Sequence, residues 1–205
     1  MELLLCILIG YGFGCINPAW LLSKIKHKDL QKSGTGNLGT TNAFINFGKG
    51  WGCLVLVVDM AKAVLAVKLC QGMFPSLELA GVIAGCMVIM GHIFPFYNRF
   101  RGGKGIASFG GVIMAADIRL FLFLLAVGCI LALIFNYGCS ISFSAAALFP
   151  FLYAAELGSF AAFLVLAACS GVIVYKHFDN IKKIRAGEEM RIRTFLKKHI
   201  FEGGI

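Results

Sequence analysis

Apolar runs at 3–22, 51–71, 77–97, 118–136 and 157–176 set the rhythm of the chain. Each comes near the roughly 20 residues that carry a helix across a bilayer. Two shorter runs, 105–116 and 143–155, are weaker. A helix of about 12 residues rises only about 18 Å, so these are expected to tilt, to thin the bilayer, or to stand as half-helices against partners. The polar residues are gathered between the runs, in short stretches rich in glycine, asparagine or basic side chains. Asn17-Pro18 interrupts the first run and predicts a kink or a polar contact between helices. The pattern predicts an all-α membrane protein, a polytopic bundle of about seven transmembrane helices. No repeat of 20–50 residues and no low-complexity segment is visible, so residues 1–205 are expected to form a single integral membrane domain.

Composition strengthens this reading. Hydrophobic residues make up 59% of the 205, charged residues only 14%, and the mean hydropathy is +0.85. A soluble chain of this length would need more charge to cover its surface. The first run lacks a basic flank ahead of it and is expected to remain as a first helix rather than a cleaved signal. The eight cysteines are scattered through apolar stretches in no ligand or pairing pattern. They read as small packing residues, with neither a metal site nor a disulfide framework signalled.

The net charge of +9 is unevenly placed, and 16 of the 19 basic residues fall in 23–50, 98–105 and the tail from Lys176. That distribution fits cytoplasmic loops beside anionic lipid better than a nucleic-acid surface. It puts 23–50 inside, the N-terminus outside, the uncharged turn at 71–76 outside, and 98–105 inside again. The basic C-terminus must also be cytoplasmic, which requires an odd number of crossings. Five or seven would satisfy this; seven is preferred, turning outside at 117–119 and returning 136–142 to the inner face.

Three polar stretches on that inner face bear chemistry. Ser33-Gly34-Thr35-Gly36-Asn37-Leu38-Gly39-Thr40-Thr41-Asn42 alternates glycine with hydroxyl and amide side chains. Such a run can form a nest of backbone N–H groups around an anion, although as a connector it would also be unremarkable in composition. Its G-x-G-x-x-G spacing follows a membrane helix with no βαβ pattern, which argues against a dinucleotide site. The second stretch, Gly91 to Gly105, ends in Arg99-Phe100-Arg101-Gly102-Gly103-Lys104-Gly105 at the start of a helix. A positive-inside anchor would explain the arginines but not the three glycines; an anion site at a helix N-terminus explains both. The third stretch carries His177 and Asn180, three apart and so on one face of a helix end. Within the bilayer, Asp59 and Lys62 are also three apart. Each costs about 2.5–3.5 kcal/mol on insertion scales, so mutual pairing is expected.

These stretches, in this order, resemble the bacterial acyl-phosphate:glycerol-3-phosphate acyltransferase family (PlsY). Gly34 to Asn42 echoes its G-S-G-N-P-G-A-T-N pattern. Gly91-His92, Phe94-Pro95, Phe100 and Gly102 to Gly105 match G-H-x-F-P-x-F-x-x-F-x-G-G-K-G. His177, Asn180, Ile181, Gly187 and Glu189 match H-x-x-N-I-x-R-x-x-x-G-x-E, with Lys183 for the arginine, and Asp59 and Lys62 fit a D-x-x-K. The resemblance covers nearly the whole chain. It implies a seven-helix enzyme of the bacterial cytoplasmic membrane that acts in phospholipid biosynthesis. Such an enzyme moves a fatty acyl group from acyl phosphate to the 1-hydroxyl of glycerol 3-phosphate, giving lysophosphatidic acid and phosphate, without metal or other cofactor. It also implies catalytic roles for Thr35, Lys104, His177 and Asn180. Substrate phosphate would be bound by Gly34, Gly36, Asn37, Gly39, Asn42, Gly102, Gly103, Gly105 and Ser142. The implied partners are the two substrates and membrane lipid, with no nucleic acid; the oligomeric state is left open.

The departures from the pattern share a direction. Thr35 stands for serine, Ile45 for an arginine, Gly50 for a lysine and Gln31 for an upstream arginine. Losing a guanidinium from a phosphate site removes charge-assisted bonds of about 1.5–3 kcal/mol, which Lys32 or Lys49 would have to offset. Two alternatives follow: a diverged relative with another acceptor or no activity, and, in a different class, an anion or lipid transporter built on broken helices. A transporter would move substrate across vesicles without acylated product. Neither H-x-x-x-x-D nor D-G-x-x-A-R occurs, which disfavours two other acyl- and alcohol-transferase classes.

Overall fold

The first apolar run does not stay one helix. Pro18 has no N–H to donate and fits the first turn of a new helix, so the chain breaks before it. Helix α1 spans Glu2–Cys15 and α2 spans Pro18–Ile25, with the buried Asn17 side chain capping α2 by accepting from Trp20 N at 2.9 Å. The expected kink is therefore a capped break. In this computed structural model, which describes residues 1–201, the remaining helices are α3 (Thr40–Phe47), α4 (Lys49–Met73), α5 (Ala80–Ile93), α6 (Ile106–Ala116), α7 (Ile118–Phe135), α8 (Cys139–Leu157), α9 (Phe160–Lys176), α10 (Phe178–Arg185) and α11 (Ile192–Leu196). Among the described residues there is no strand, only an isolated bridge between Tyr137 and Arg191.

The described residues divide into two compact units, Met1–Ala116 and 117–201. In the first, α5 is the central helix, with 11 of its 14 residues buried. It packs against α1 and α4, and α6 packs on α4. Gly10, Gly14 and Gly91 let the α1 and α5 backbones touch, since a Cβ at any of them would strike a carbonyl of the other helix. Small residues serve this purpose in membrane helices, where lipid offers no hydrophobic drive to association. Helix α4 buries Val55, Asp59, Lys62, Ala63, Ala66, Val67 and Cys70 at three- and four-residue spacing, while Leu54, Val57, Leu65 and Leu69 face outward. Both tryptophans lie near the basic loop, Trp20 with Lys24 Nζ 5.7 Å from its ring and Trp51 with Lys26 Nζ at 4.8 Å. That arrangement suits the headgroup region of a membrane.

In the second unit α8 packs between α7 and α9. Asp117 caps α7, accepting from Arg119 N at 2.5 Å and Leu120 N at 2.9 Å, and these N–H groups, Leu120's foremost, hold its carboxyl below the usual range. At the other end of α7, Asn136 takes a left-handed conformation and Arg193 of α11 donates to Leu133 O at 3.1 Å. The basic tail so closes a helix C-terminus, where positive charge is favoured.

Among the described residues, four stretches are long and apolar enough to cross a membrane: Glu2–Ile25, Ala80–Asn98, Ile118–Phe135 and Cys139–Leu157. The last differs from expectation. The run 143–155 was too short on hydropathy alone, but the polar Cys139-Ser140-Ile141-Ser142 turn is helical as well, giving 19 residues. Helices α9 and α10 form a pair bent by 42°, and α6 remains short. The loop 23–50 is also more ordered than a connector, holding a 3-10 turn at Leu30–Lys32 and all of α3. Six cysteines are buried as packing residues; Cys53 and Cys129 face outward.

Candidate active site

The glycine-rich stretch ahead of α3 is held from below by one side chain. Asn42, fully buried, donates from Nδ2 to Leu30 O (2.7 Å) and Asn37 O (2.9 Å). Its Oδ1 accepts from Thr35 N (2.9 Å) and Asn46 Nδ2 (2.9 Å). Gly34 has φ +59°, and a Cβ there would drive into Asn42 Oδ1, so the turn requires a residue without one. The geometry makes Asn42 the scaffold of the loop rather than a group aimed at a ligand. Thr35 and Asn37 are half-buried on the loop, Gly36 is exposed, and Gly39 precedes α3, whose N-terminus has no side-chain cap. Uncapped N–H groups at a helix start favour an anion.

The second stretch folds back on the end of α5. After Phe94-Pro95, a 3-10 turn at Phe96–Asn98 leads into Arg99 and Phe100, both left-handed, and the chain reverses. Gly102 N then donates to Ile93 O at 2.9 Å and Gly103 N to His92 O at 3.1 Å. Gly103 is buried, and a Cβ on it would collide with the His92 ring nitrogen Nε2 and with Leu38 O. Leu38 belongs to the first stretch, so the two glycine segments meet at Gly103. Gln31 adds a second tie, donating to Arg101 O at 3.4 Å and accepting from Asn98 at 3.5 Å. Asn17 reaches Leu38 O at 3.5 Å. Lys104 follows directly, half-buried, and Gly105 (φ +83°) immediately precedes α6. Within the first unit, then, the segment that carries Thr35 meets the segment that carries Lys104, at Gly103 and Leu38 and again at Gln31.

Asp59 and Lys62 pair as expected, Nζ to Oδ1 at 2.6 Å, but they are not alone. Lys62 Nζ also donates to Ile16 O (2.6 Å) and Gly14 O (3.2 Å) at the α1–α2 break, and His92 Nδ1 lies 2.9 Å from Nζ and 3.1 Å from Asp59 Oδ1. No local spacing could have found His92, which stands thirty positions from Lys62; its only signal is that Gly91-His92 opens the second motif.

In the second unit, Ser142 is buried in the first turn of α8, while His177 is buried at the junction of α9 and α10. The ring of Phe143 lies 5.6 Å from that of His177, so these helix ends adjoin. His177 Nδ1 is 2.8 Å from Ile173 O; a carbonyl only accepts, so Nδ1 carries a proton and donates it there. Asn180 lies beyond the bend, its Nδ2 donating to Glu189 Oε1 at 2.6 Å. His177 is the N-cap of α10, its carbonyl accepting from Ile181 N at 3.2 Å, and Asn180 lies in the first turn of that helix, so the two share one helix end as the spacing suggested.

Residues 4–187 match the family model described as Glycerol-3-phosphate acyltransferase. The chain is 37% identical to a glycerol-3-phosphate acyltransferase of Streptococcus thermophilus, covering 92% of each. It is 38% identical to glycerol-3-phosphate acyltransferase 1 of Deinococcus radiodurans, over 94% of this chain and 96% of that one. Its fold is similar to the crystal structure of PlsY (YgiH), an integral membrane glycerol 3-phosphate acyltransferase, in its glycerol 3-phosphate form, with a TM-score of 0.84 and 27% identity over 93% of this chain and 96% of that one. The lysophosphatidic acid form of the same enzyme gives a TM-score of 0.83 at 26% identity, over 96% and 100%.

Proposed function

Because the chain belongs to the glycerol-3-phosphate acyltransferase family of integral membrane enzymes, we propose that it acylates the 1-hydroxyl of glycerol 3-phosphate with acyl phosphate as donor. The products are lysophosphatidic acid and inorganic phosphate, and the place is the cytoplasmic face of a bacterial cell membrane. All of residues 1–205 serve this one activity, in seven crossings with the N-terminus outside. The observation that carries the reading is the meeting of the two glycine segments at Gly103 and Leu38, with Lys104 beside them and the uncapped start of α3 nearby.

Acyl phosphate is already activated, so no protein nucleophile is needed. The glycerol hydroxyl oxygen bonds to the acyl carbonyl carbon, the carbon–oxygen bond to phosphate breaks, and the departing phosphate takes that electron pair. The hydroxyl proton ends on a substrate phosphate. Lys104 and the loop N–H groups oppose the charge that grows on the carbonyl and leaving oxygens. Thr35 adds a hydroxyl donor, and registering two bound substrates supplies much of the remaining acceleration. Ser142, His177 and Asn180 are assigned to substrate phosphate; His177 binds through its ring rather than taking the proton.

Purified protein given acyl phosphate and labelled glycerol 3-phosphate should form labelled lysophosphatidic acid. Lys104→Ala and His177→Ala should each reduce it strongly. Product no higher in the native protein than in Lys104→Ala would overturn the proposal.

A second reading rests on Ile45. A Cβ at Gly34 would lie 3.4 Å from Ile45 Cγ2, so an apolar side chain borders the loop where the family pattern has an arginine. On this reading the acceptor is a different phosphorylated polyol. A panel of such acceptors in the same assay separates the two.

A further inference from the structure

The buried cluster on α4 and α5 stands apart from the phosphate-facing groups, yet it touches the backbone on which they sit. We infer that Asp59, Lys62 and His92 are positioning residues for the Gly102–Lys104 loop, an inference that rests on the acyl-transfer reading above. None of the three is more than 3% exposed, so none meets substrate directly.

The wiring of the cluster converges on one ring nitrogen. A lysine ammonium has three hydrogens. Lys62 Nζ lies 2.6 Å from Asp59 Oδ1, 2.6 Å from Ile16 O, 2.9 Å from His92 Nδ1 and 3.2 Å from Gly14 O. His92 Nδ1 also lies 3.1 Å from Asp59 Oδ1, so it is held against both members of the pair. The ring is thereby turned so that Nε2 lies under Gly103, at the point where a Cβ would strike it. The main chain of the same residue accepts from Gly103 N at 3.1 Å, and the next carbonyl accepts from Gly102 N at 2.9 Å. His92 thus supports the loop with both its ring edge and its carbonyl. Lys62 reaches the other way, binding the carbonyls that the α1–α2 break leaves without helical partners. The break continues through Asn17 to Leu38 O, on the far side of Gly103. Both supports of the glycine loops, from α5 and from the α1–α2 break, therefore run through one carboxylate and one ammonium.

A purely stabilising ion cluster and a positioning cluster predict different results for His92→Asn. Asparagine keeps a polar group near the place of Nδ1, beside Asp59 Oδ1 and Lys62 Nζ, but it removes the ring edge under Gly103. The variant should melt within a few degrees of the native protein. Its kcat should fall at least tenfold at saturating acyl phosphate and glycerol 3-phosphate. Amide hydrogen exchange at 100–105 should speed at least tenfold while that of the α4 interior is unchanged. The charge-balanced double variant Asp59→Asn, Lys62→Met should show the same split. Unchanged kcat and unchanged loop exchange, within twofold, in a folded His92→Asn protein would overturn the inference. If the native protein forms no product, the acyl-transfer reading fails, and the exchange measurement still decides whether the cluster holds the loop.

Discussion

Asn42 and Gly103 show how much of the candidate site hangs on single residues. Removing the Asn42 amide leaves Leu30 O, Asn37 O and Thr35 N without their partner. Each buried unsatisfied group costs about 1–3 kcal/mol. Asn42→Ala is therefore expected to lower the melting temperature and to abolish measurable acyl transfer, where substitution of the exposed Thr41 should do neither. Gly103→Ala should cost activity more than tenfold, read as lysophosphatidic acid formed, because the added carbon meets the His92 ring and a backbone carbonyl. Ile45→Arg works in the opposite direction. A guanidinium restored beside Gly34 is worth about 1.5–3 kcal/mol toward phosphate, so KM for glycerol 3-phosphate should fall by about 10- to 150-fold. An unchanged KM would place the acceptor phosphate elsewhere. The sequence displayed Thr35, Lys104 and the glycines, because glycine and lysine in a loop carry their chemistry in composition. It did not display the office of Asn42 or His92, since each acts through partners decided by the fold.

At the scale of elements, each apolar run of the sequence coincides with helix, but two ends differ. Helix α8 begins at Cys139 because serine and cysteine tolerate a first helical turn, though they lower the apolar average that marked 143–155. The first run became two helices because Pro18 fits only a new start, with Asn17 as its cap. Asp117 gives a pH test of the same kind of terminus. Its carboxyl is held below the ordinary range by Leu120 N–H and Arg119, so its contribution is present above the unfolded carboxylate pKa and fades as pH falls through the lower folded value. The melting temperature of the native protein, less that of Asp117→Ala, should be constant from pH 8 to about pH 5 and shrink below about pH 4. A difference that grew on acidification would contradict the cap.

At the scale of the whole molecule, charge placement is the most legible property and the easiest to test. Single cysteines introduced at Lys28 and Arg185 in a cysteine-free background should react with an impermeant reagent only from the cytoplasmic side, and one at Ser76 only from outside. Labelling of Ser76 and Lys28 from one side would refute the proposed topology. The membrane class and the two glycine motifs were readable because lipid and phosphate each demand a distinct composition. The convergence of the motifs was not, since Gln31 meets Arg101 across seventy positions.

The Asp59–Lys62 pair also bears on how the chain is made. An isolated α4 would carry Asp59 and Lys62 into lipid, at about 2.5–3.5 kcal/mol each. During synthesis α1 emerges first, and its carbonyls at Gly14 and Ile16 are waiting in the bilayer when Lys62 leaves the ribosome. His92 arrives last and brings its ring to 3.1 Å from Asp59 Oδ1. Helix α4 is therefore a guest of its neighbours in biogenesis: its settling into the membrane is ordered by chain sequence, α1 before it and α5 after. Variants that unbalance this pair should be met first by the cell's membrane proteases.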